Sequence, residues 1–78
     1  MKIFSGTSNI TLAKNICNYL GIELGKLKIN TFSDGELSVA FEENIRNENV
    51  FIIQSTNPPA ENILELLLIL DAAKRASA

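Results

Sequence analysis

Eight consecutive residues, Ile63-Leu64-Glu65-Leu66-Leu67-Leu68-Ile69-Leu70, constrain this chain more than any other stretch. All but Glu65 are apolar. Eight residues make more than two turns of α-helix, so apolar side chains here project in nearly every direction. A surface helix shows one apolar stripe; a helix apolar almost all round must be covered on more than one side. Pro58 and Pro59 forbid helix before them and suit the start of one after them. From about Ala60 to Ala76 there is no Gly or Pro, and a helix is predicted over that span. It does not read as a membrane span: Ile63 to Ala73 carries Glu65 and Asp71 and falls well short of the ~20 apolar residues required.

A second stretch makes the same demand. Val50-Phe51-Ile52-Ile53 is a continuous apolar run, which predicts a central strand covered on both faces. The remaining elements are more modest. Lys2 to Ser5 reads as a short strand stopped by Gly6. Asn9 to Leu20 reads as a helix, with Leu12, Ala13, Ile16, Cys17 and Leu20 at the spacing of one face. Ser8 or Asn9 is placed to cap its start and Gly21 to end it. After a turn at Glu23-Leu24-Gly25, Leu27 and Ile29 alternate with polar neighbours. Leu37, Val39 and Phe41 alternate again beyond Asp34-Gly35, a turn-forming pair, so these two strands are expected to pair antiparallel. Four strands and two helices are too few to cover both apolar segments. The sequence therefore reads as the front of a larger α/β unit, cut after a helix and before the next strand.

Composition narrows the chemistry. A chain of 78 residues permits one domain at most, and 46% hydrophobic with 21% charged residues excludes a disordered tail. No basic segment followed by an apolar block opens the chain, so a secretory signal is not expected. Seven basic against nine acidic residues, net −2, give no basic face for nucleic acid. The single cysteine, Cys17, forms no internal disulfide and reads as packing on the first helix. The absence of histidine removes His-based acid–base and nucleophile systems and His-containing metal sites.

The polar constellations each admit two readings. Neither the dinucleotide nor the P-loop fingerprint is present. Ser5-Gly6-Thr7-Ser8, between a strand and a helix start, suits either backbone phosphate binding or an ordinary capped turn, and the turn is favoured. In Phe32-Ser33-Asp34-Gly35-Glu36, residues 32, 34 and 36 fall on one side of an extended backbone unless Gly35 breaks it. A ring and two carboxylates suit the base and ribose end of a nucleotide, because carboxylates repel phosphates. Taken from the residues alone, a hairpin turn with two solvated acids is the commoner origin of such a segment. Arg46 suits a surface ion pair or a phosphate contact. Lys74, Arg75 and Ser77 complement a helix C-terminus. Glu61 and Glu65, at i and i+4, invite a metal reading but are expected to be solvated acids in the first helical turns.

Taken together, Lys2-Ile3-Phe4-Ser5-Gly6-Thr7-Ser8-Asn9, Phe32-Ser33-Asp34-Gly35-Glu36, Asn49-Val50-Phe51-Ile52-Ile53-Gln54-Ser55-Thr56 and residues 62–78 resemble the N-terminus of ribose-phosphate pyrophosphokinase, in the right order along the whole chain. The resemblance implies an α/β fold: residues 1–78 would be the N-terminal part of a phosphoribosyltransferase-like domain, a mixed sheet with flanking helices, incomplete here. It implies transfer of diphosphate from Mg-ATP to ribose 5-phosphate, giving phosphoribosyl pyrophosphate and AMP. By match of motif, Phe32 would stack on adenine while Asp34 and Glu36, with Gly35 between them, hold the adenosine portion. In the family this loop acts across a subunit interface of a hexamer. Arg46 and Ser77 match positions of its regulatory site for phosphate and ADP.

The same resemblance places the family's metal-binding histidine, basic catalytic loop and ribose-phosphate loop beyond the motifs found here. Mg2+ would then be held by residues absent from this chain, no catalytic or metal-binding residue lies within it, and the chain alone is expected to be inactive. The family often has Gly after the arginine where this chain has Asn47, a residue also able to adopt the left-handed conformation. The Pro58–Asn62 connection is one residue shorter than in some members. Expected partners are ATP, ribose 5-phosphate and further copies of the chain, without nucleic acid or membrane, in the cytoplasm. The alternative is a non-catalytic regulatory or interaction subunit lending its Phe32–Glu36 loop to a complete partner. Self-association or poor solubility of the chain is expected from its last helix.

Overall fold

The computed structural model describes residues 1–32 and 35–77. Along the chain run β1 (Lys2–Ser5), α1 (Ile10–Leu20), β2 (Leu27–Thr31), β3 (Leu37–Phe41), β4 (Val50–Ile53) and α2 (Glu61–Arg75). The order and type of these elements are those the periodicities predict. Asn9, not Ser8, caps α1: its Oδ1 accepts from Leu12 N at 3.1 Å. Gly21 closes the helix at φ 71°, in the left-handed region that glycine enters at low cost.

β1 and β4 pair parallel, Lys2 opposite Val50 through Ser5 opposite Ile53. β2 and β3 pair antiparallel, Leu27 opposite Phe41 through Thr31 opposite Leu37. The bond from Gly25 N to Ile3 O (2.7 Å) ties the chain entering β2 to β1. Phe4, Ile45 and Ala73 form the core, with Leu27, Phe41, Val50 and Ile52 packed against them. Phe4 meets Phe41 edge to face, ring centroids 4.7 Å apart, and a Cβ at Gly25 would collide with the Phe4 ring. The base of the β2–β3 hairpin is thereby fixed to the core, while its tip projects from it.

Both demanding segments are only half satisfied. On β4, Val50 and Ile52 share the Phe4 face, but Phe51 on the other face is 53% exposed. Within residues 1–78 one face of β4 is open, as expected of elements too few to cover both apolar segments. On α2, Ile69 and Ala73 are buried against the core, whereas Ile63, Leu67 and Leu70 stand in water on the opposite side. α1 packs against β1 through Ala13 and Cys17, and Leu12 and Leu20, expected inside, are exposed. The surface area, 5359 Å², exceeds the ~4,700 Å² expected of a compact protein of this mass.

Candidate functional site: the hairpin tip and the end of α2

Three places hold the residues singled out in the sequence. The first is the tip of the β2–β3 hairpin. Phe32 N donates to Glu36 O (2.8 Å), and Gly35 N donates to Phe32 O (2.9 Å). Gly35 takes φ 85°, so the backbone leaves the extended path there. Phe32 and Glu36 line one open cleft of about 350 Å³ together with Leu37, Ser38, Val39, Leu68 and Arg75. The Phe32 ring is 53% exposed. Asp34 lies outside the described residues.

The second place is the segment after β3. Ile45 is buried in the core, and Glu48 N donates to its carbonyl at 3.0 Å, closing a turn. Asn47, at φ 59°, adopts the left-handed conformation that glycine would take in other sequences. Its N–H donates to Ser77 O at 2.8 Å. The turn carrying Arg46 is thus docked on the end of α2, and two residues 31 positions apart in the sequence are brought into one neighbourhood. Arg46 is exposed, its N–H bound to Asn44 Oδ1 at 3.0 Å. A cleft of about 390 Å³ adjoins, lined by Glu43, Asn44, Ile45, Ala72 and Arg75 among others. Lys2 Nζ bonds Glu43 Oε1 at 2.7 Å. That bond and the Lys26 N–H hold the Glu43 carboxyl below its ordinary range, and the same bond raises Lys2.

The third is the β1–α1 turn. Glu65, expected to be solvated, is 6% exposed. Its carboxyl accepts from Thr7 N, from Thr7 Oγ1 at 2.8 Å and from Gln54 Nε2 at 3.3 Å. The Gln54 amide also donates to Asn62 O and accepts from the Ser8 hydroxyl at 2.7 Å. Ser55 N donates to Ser8 Oγ at 2.9 Å. The turn that could cradle a phosphate is therefore filled by the chain's own carboxyl, which supports the ordinary-turn reading. A Cβ on Gly6 would lie 2.6 Å from Glu65 Oε1, so the close approach depends on glycine. The available signal was position: Glu65 is the one acid inside an apolar run, where a charge survives only with partners.

Among the described residues, no three His, Cys, Asp or Glu side chains converge to hold a metal ion, and no helix is long and apolar enough to cross a membrane. A parallel pair, an antiparallel hairpin and two helices define a mixed α/β unit. A crystal structure of phosphoribosylpyrophosphate synthetase from Mycobacterium smegmatis shares it: TM-score 0.84 at 30% identity, over 99% of this chain and 26% of that one. A family model, the N-terminal domain of ribose phosphate pyrophosphokinase, matches residues 1–78, and the chain belongs to that family. It is 58% identical over 78 residues to a ribose-phosphate pyrophosphokinase of Chlorobaculum tepidum. It is 55% identical over 76 residues to one from Porphyromonas gingivalis. The chain spans about a quarter of the length of these relatives, 24% in each case.

Proposed function

We propose that this chain supplies the adenine-holding loop of a ribose-phosphate diphosphokinase, acting in the transfer of diphosphate from Mg-ATP to ribose 5-phosphate. The observation that carries this reading is the exposed Phe32 ring beside Glu36, on one cleft at a hairpin tip fixed by two backbone bonds. The ring offers a stacking face, and the carboxylates of Glu36 and Asp34 accept from amino or hydroxyl groups and repel phosphates. Gly35 supplies the turn. Phosphoryl-transfer chemistry rests on cations around the transferring group. By the family resemblance, Mg2+ and the catalytic groups are assigned to other parts of the working enzyme. The reading carries a cytoplasmic place of action and an assembly in which the loop serves a neighbouring subunit.

The docking of the Arg46 turn on Ser77 favours a second role at the same end of the chain. A guanidinium suits a phosphate, and Arg46 with Ser77 is proposed to hold a regulatory phosphate or the phosphates of ADP. This is the observation that keeps a purely regulatory subunit as the rival reading.

Isothermal titration of the chain with adenosine tests the loop. Saturable binding that Phe32→Ala abolishes is expected, and absence of binding by the unaltered chain refutes the reading. Incubation with Mg-ATP and ribose 5-phosphate is expected to yield no AMP; measurable turnover would overturn the assignment of catalytic groups elsewhere.

A further inference from the structure

We infer that the outward face of α2 is an interface between two copies of this chain, with the two α2 helices packed antiparallel. This interface involves α2 alone and owes nothing to the nucleotide reading of the hairpin tip. β3 and β4 pack against one side of α2, where Glu65, Ile69 and Ala73 are buried. On the other side Ile63, Leu64, Leu67 and Leu70 are each about half exposed. Steps of four, three and four residues carry Ile63 to Leu67, Leu70 and Lys74. That spacing lines them up in one stripe along the helix, the pattern of a seam between two helices.

The charges around the stripe select the occupant. An acid, Glu61, lies in the first turn of α2, and Lys74 and Arg75 lie in the last. A second copy laid antiparallel and crossing near Leu67 sets Leu67 on its counterpart and Ile63 against Leu70. It also brings each Glu61 towards the basic end of the other helix. Laid parallel, the same pair sets Glu61 against Glu61 and Lys74 against Lys74, and aligns the two helix dipoles unfavourably. Both pairings are two-fold symmetric, but only the antiparallel one matches apolar to apolar and acid to base. Four half-exposed side chains supply on the order of a few hundred Å² per copy, less than the ~800 Å² per partner of a stable interface. The dimer is therefore weak and depends on concentration.

Sedimentation velocity over two decades of chain concentration is expected to show a monomer–dimer equilibrium that Leu67→Glu abolishes. Arg75 already bonds Asp71 in its own helix, so Lys74 is the charge to reverse. Lys74→Glu should weaken the dimer several-fold, and adding Glu61→Lys to it should restore association. Direction is read from disulfides, which form only between closely placed Cα atoms. Oxidation of Ile63→Cys mixed with Leu70→Cys is expected to give the mixed dimer by mass spectrometry, and Ile63→Cys alone little dimer. The unaltered chain, whose Cys17 is buried, is the control. A monomer at every concentration overturns the inference and gives this face to a different occupant. A dimer that survives Leu67→Glu overturns it too, because the interface then lies elsewhere. Preferential linkage of Ile63→Cys to itself overturns the antiparallel arrangement. Circular dichroism checks that each variant is folded, and Leu70→Glu replaces Leu67→Glu if the latter is not.

Discussion

Replacing Glu65 by alanine should destabilise this chain far more than its place among helix-surface acids suggests. The carboxyl is buried and accepts from Thr7 N, Thr7 Oγ1 and Gln54 Nε2. Each such bond contributes about 0.5–1.5 kcal/mol net, and a buried donor left without a partner costs more. Thr7 is exposed enough for water to replace part of the loss, so the expected cost lies near the lower end of the sum, about 2–3 kcal/mol. A chain of this length has a total stability of only ~4–12 kcal/mol. In thermal unfolding the change corresponds to a fall of roughly 8–24 °C. Glu65→Gln should cost less, about 1 kcal/mol, because one carbonyl oxygen remains and the Thr7 hydroxyl can reverse its role. Urea unfolding followed by circular dichroism gives both values, and a cycle with Thr7→Val isolates the shared term. If Glu65→Ala unfolds within about 0.5 kcal/mol of the unaltered chain, or Glu65→Gln proves worse than Glu65→Ala, the reasoning about this network is wrong.

The Lys2–Glu43 pair makes stability pH-dependent at both extremes. Glu43 is depressed, so its contribution is full above its ordinary 4.5 and is lost as pH falls through the folded value. Lys2 is raised, so its contribution is full below its ordinary 10.5 and is lost as pH rises through the folded value. The Tm difference between the unaltered chain and Lys2→Met should be flat between those limits and vanish towards each extreme; a gap persisting in strong acid would refute it. Asn47 holds φ 59°, so Asn47→Gly should be neutral or slightly stabilising in thermal unfolding. Asn47→Val should lose about 1–2 kcal/mol, and equal Tm values for the two would count against it. The outward face of α2 should drive self-association, and Leu67→Glu with Leu70→Glu should yield a monomer in sedimentation velocity. An unaltered chain that sediments as a monodisperse monomer contradicts that expectation.

Element order was legible because it is local physics: alternation at Leu37, Val39 and Phe41, helical spacing at Ala13, Ile16 and Cys17, and glycine at the end of α1. Burial was legible only in part. Leu12 fits the inner face of α1 by spacing, but whether a face is covered depends on what else arrives there, and the element packed closely on α1 is the short β1. The same limit explains Glu65. Its partners Thr7 and Gln54 lie 58 and 11 positions away, and no window along the chain joins them. No local periodicity joins the Arg46 turn to Ser77 either; the family resemblance alone puts the two positions in one site, while the left-handed residue, Asn47, was foreseeable from side-chain type. At the hairpin tip the sequence motif named the residues, while their common cleft with Leu68 and Arg75 depends on the packing of α2 against β3.

The phenylalanines show how the fold and the proposed function divide the same resource. Phe4 is buried, and Phe41 meets it edge to face. Phe51 is exposed for a geometrical reason: strand periodicity puts it opposite Ile52, on the face of β4 left uncovered. Phe32 has no such excuse. It lies outside any strand, in a loop whose shape is set by Phe32 N to Glu36 O and Gly35 N to Phe32 O. Full burial of a Phe ring gains ~1.5–3 kcal/mol, and half-exposure gives up roughly half of that. A polar residue would keep both backbone bonds, which involve no side-chain atom, without that loss. The ring therefore contributes little to folding where it stands. A planar ligand stacking on it would recover the forgone burial. Phe32→Ala should accordingly cost the unliganded chain no more than about 1.5 kcal/mol while removing adenosine binding, a separation that a core phenylalanine such as Phe4 could not show.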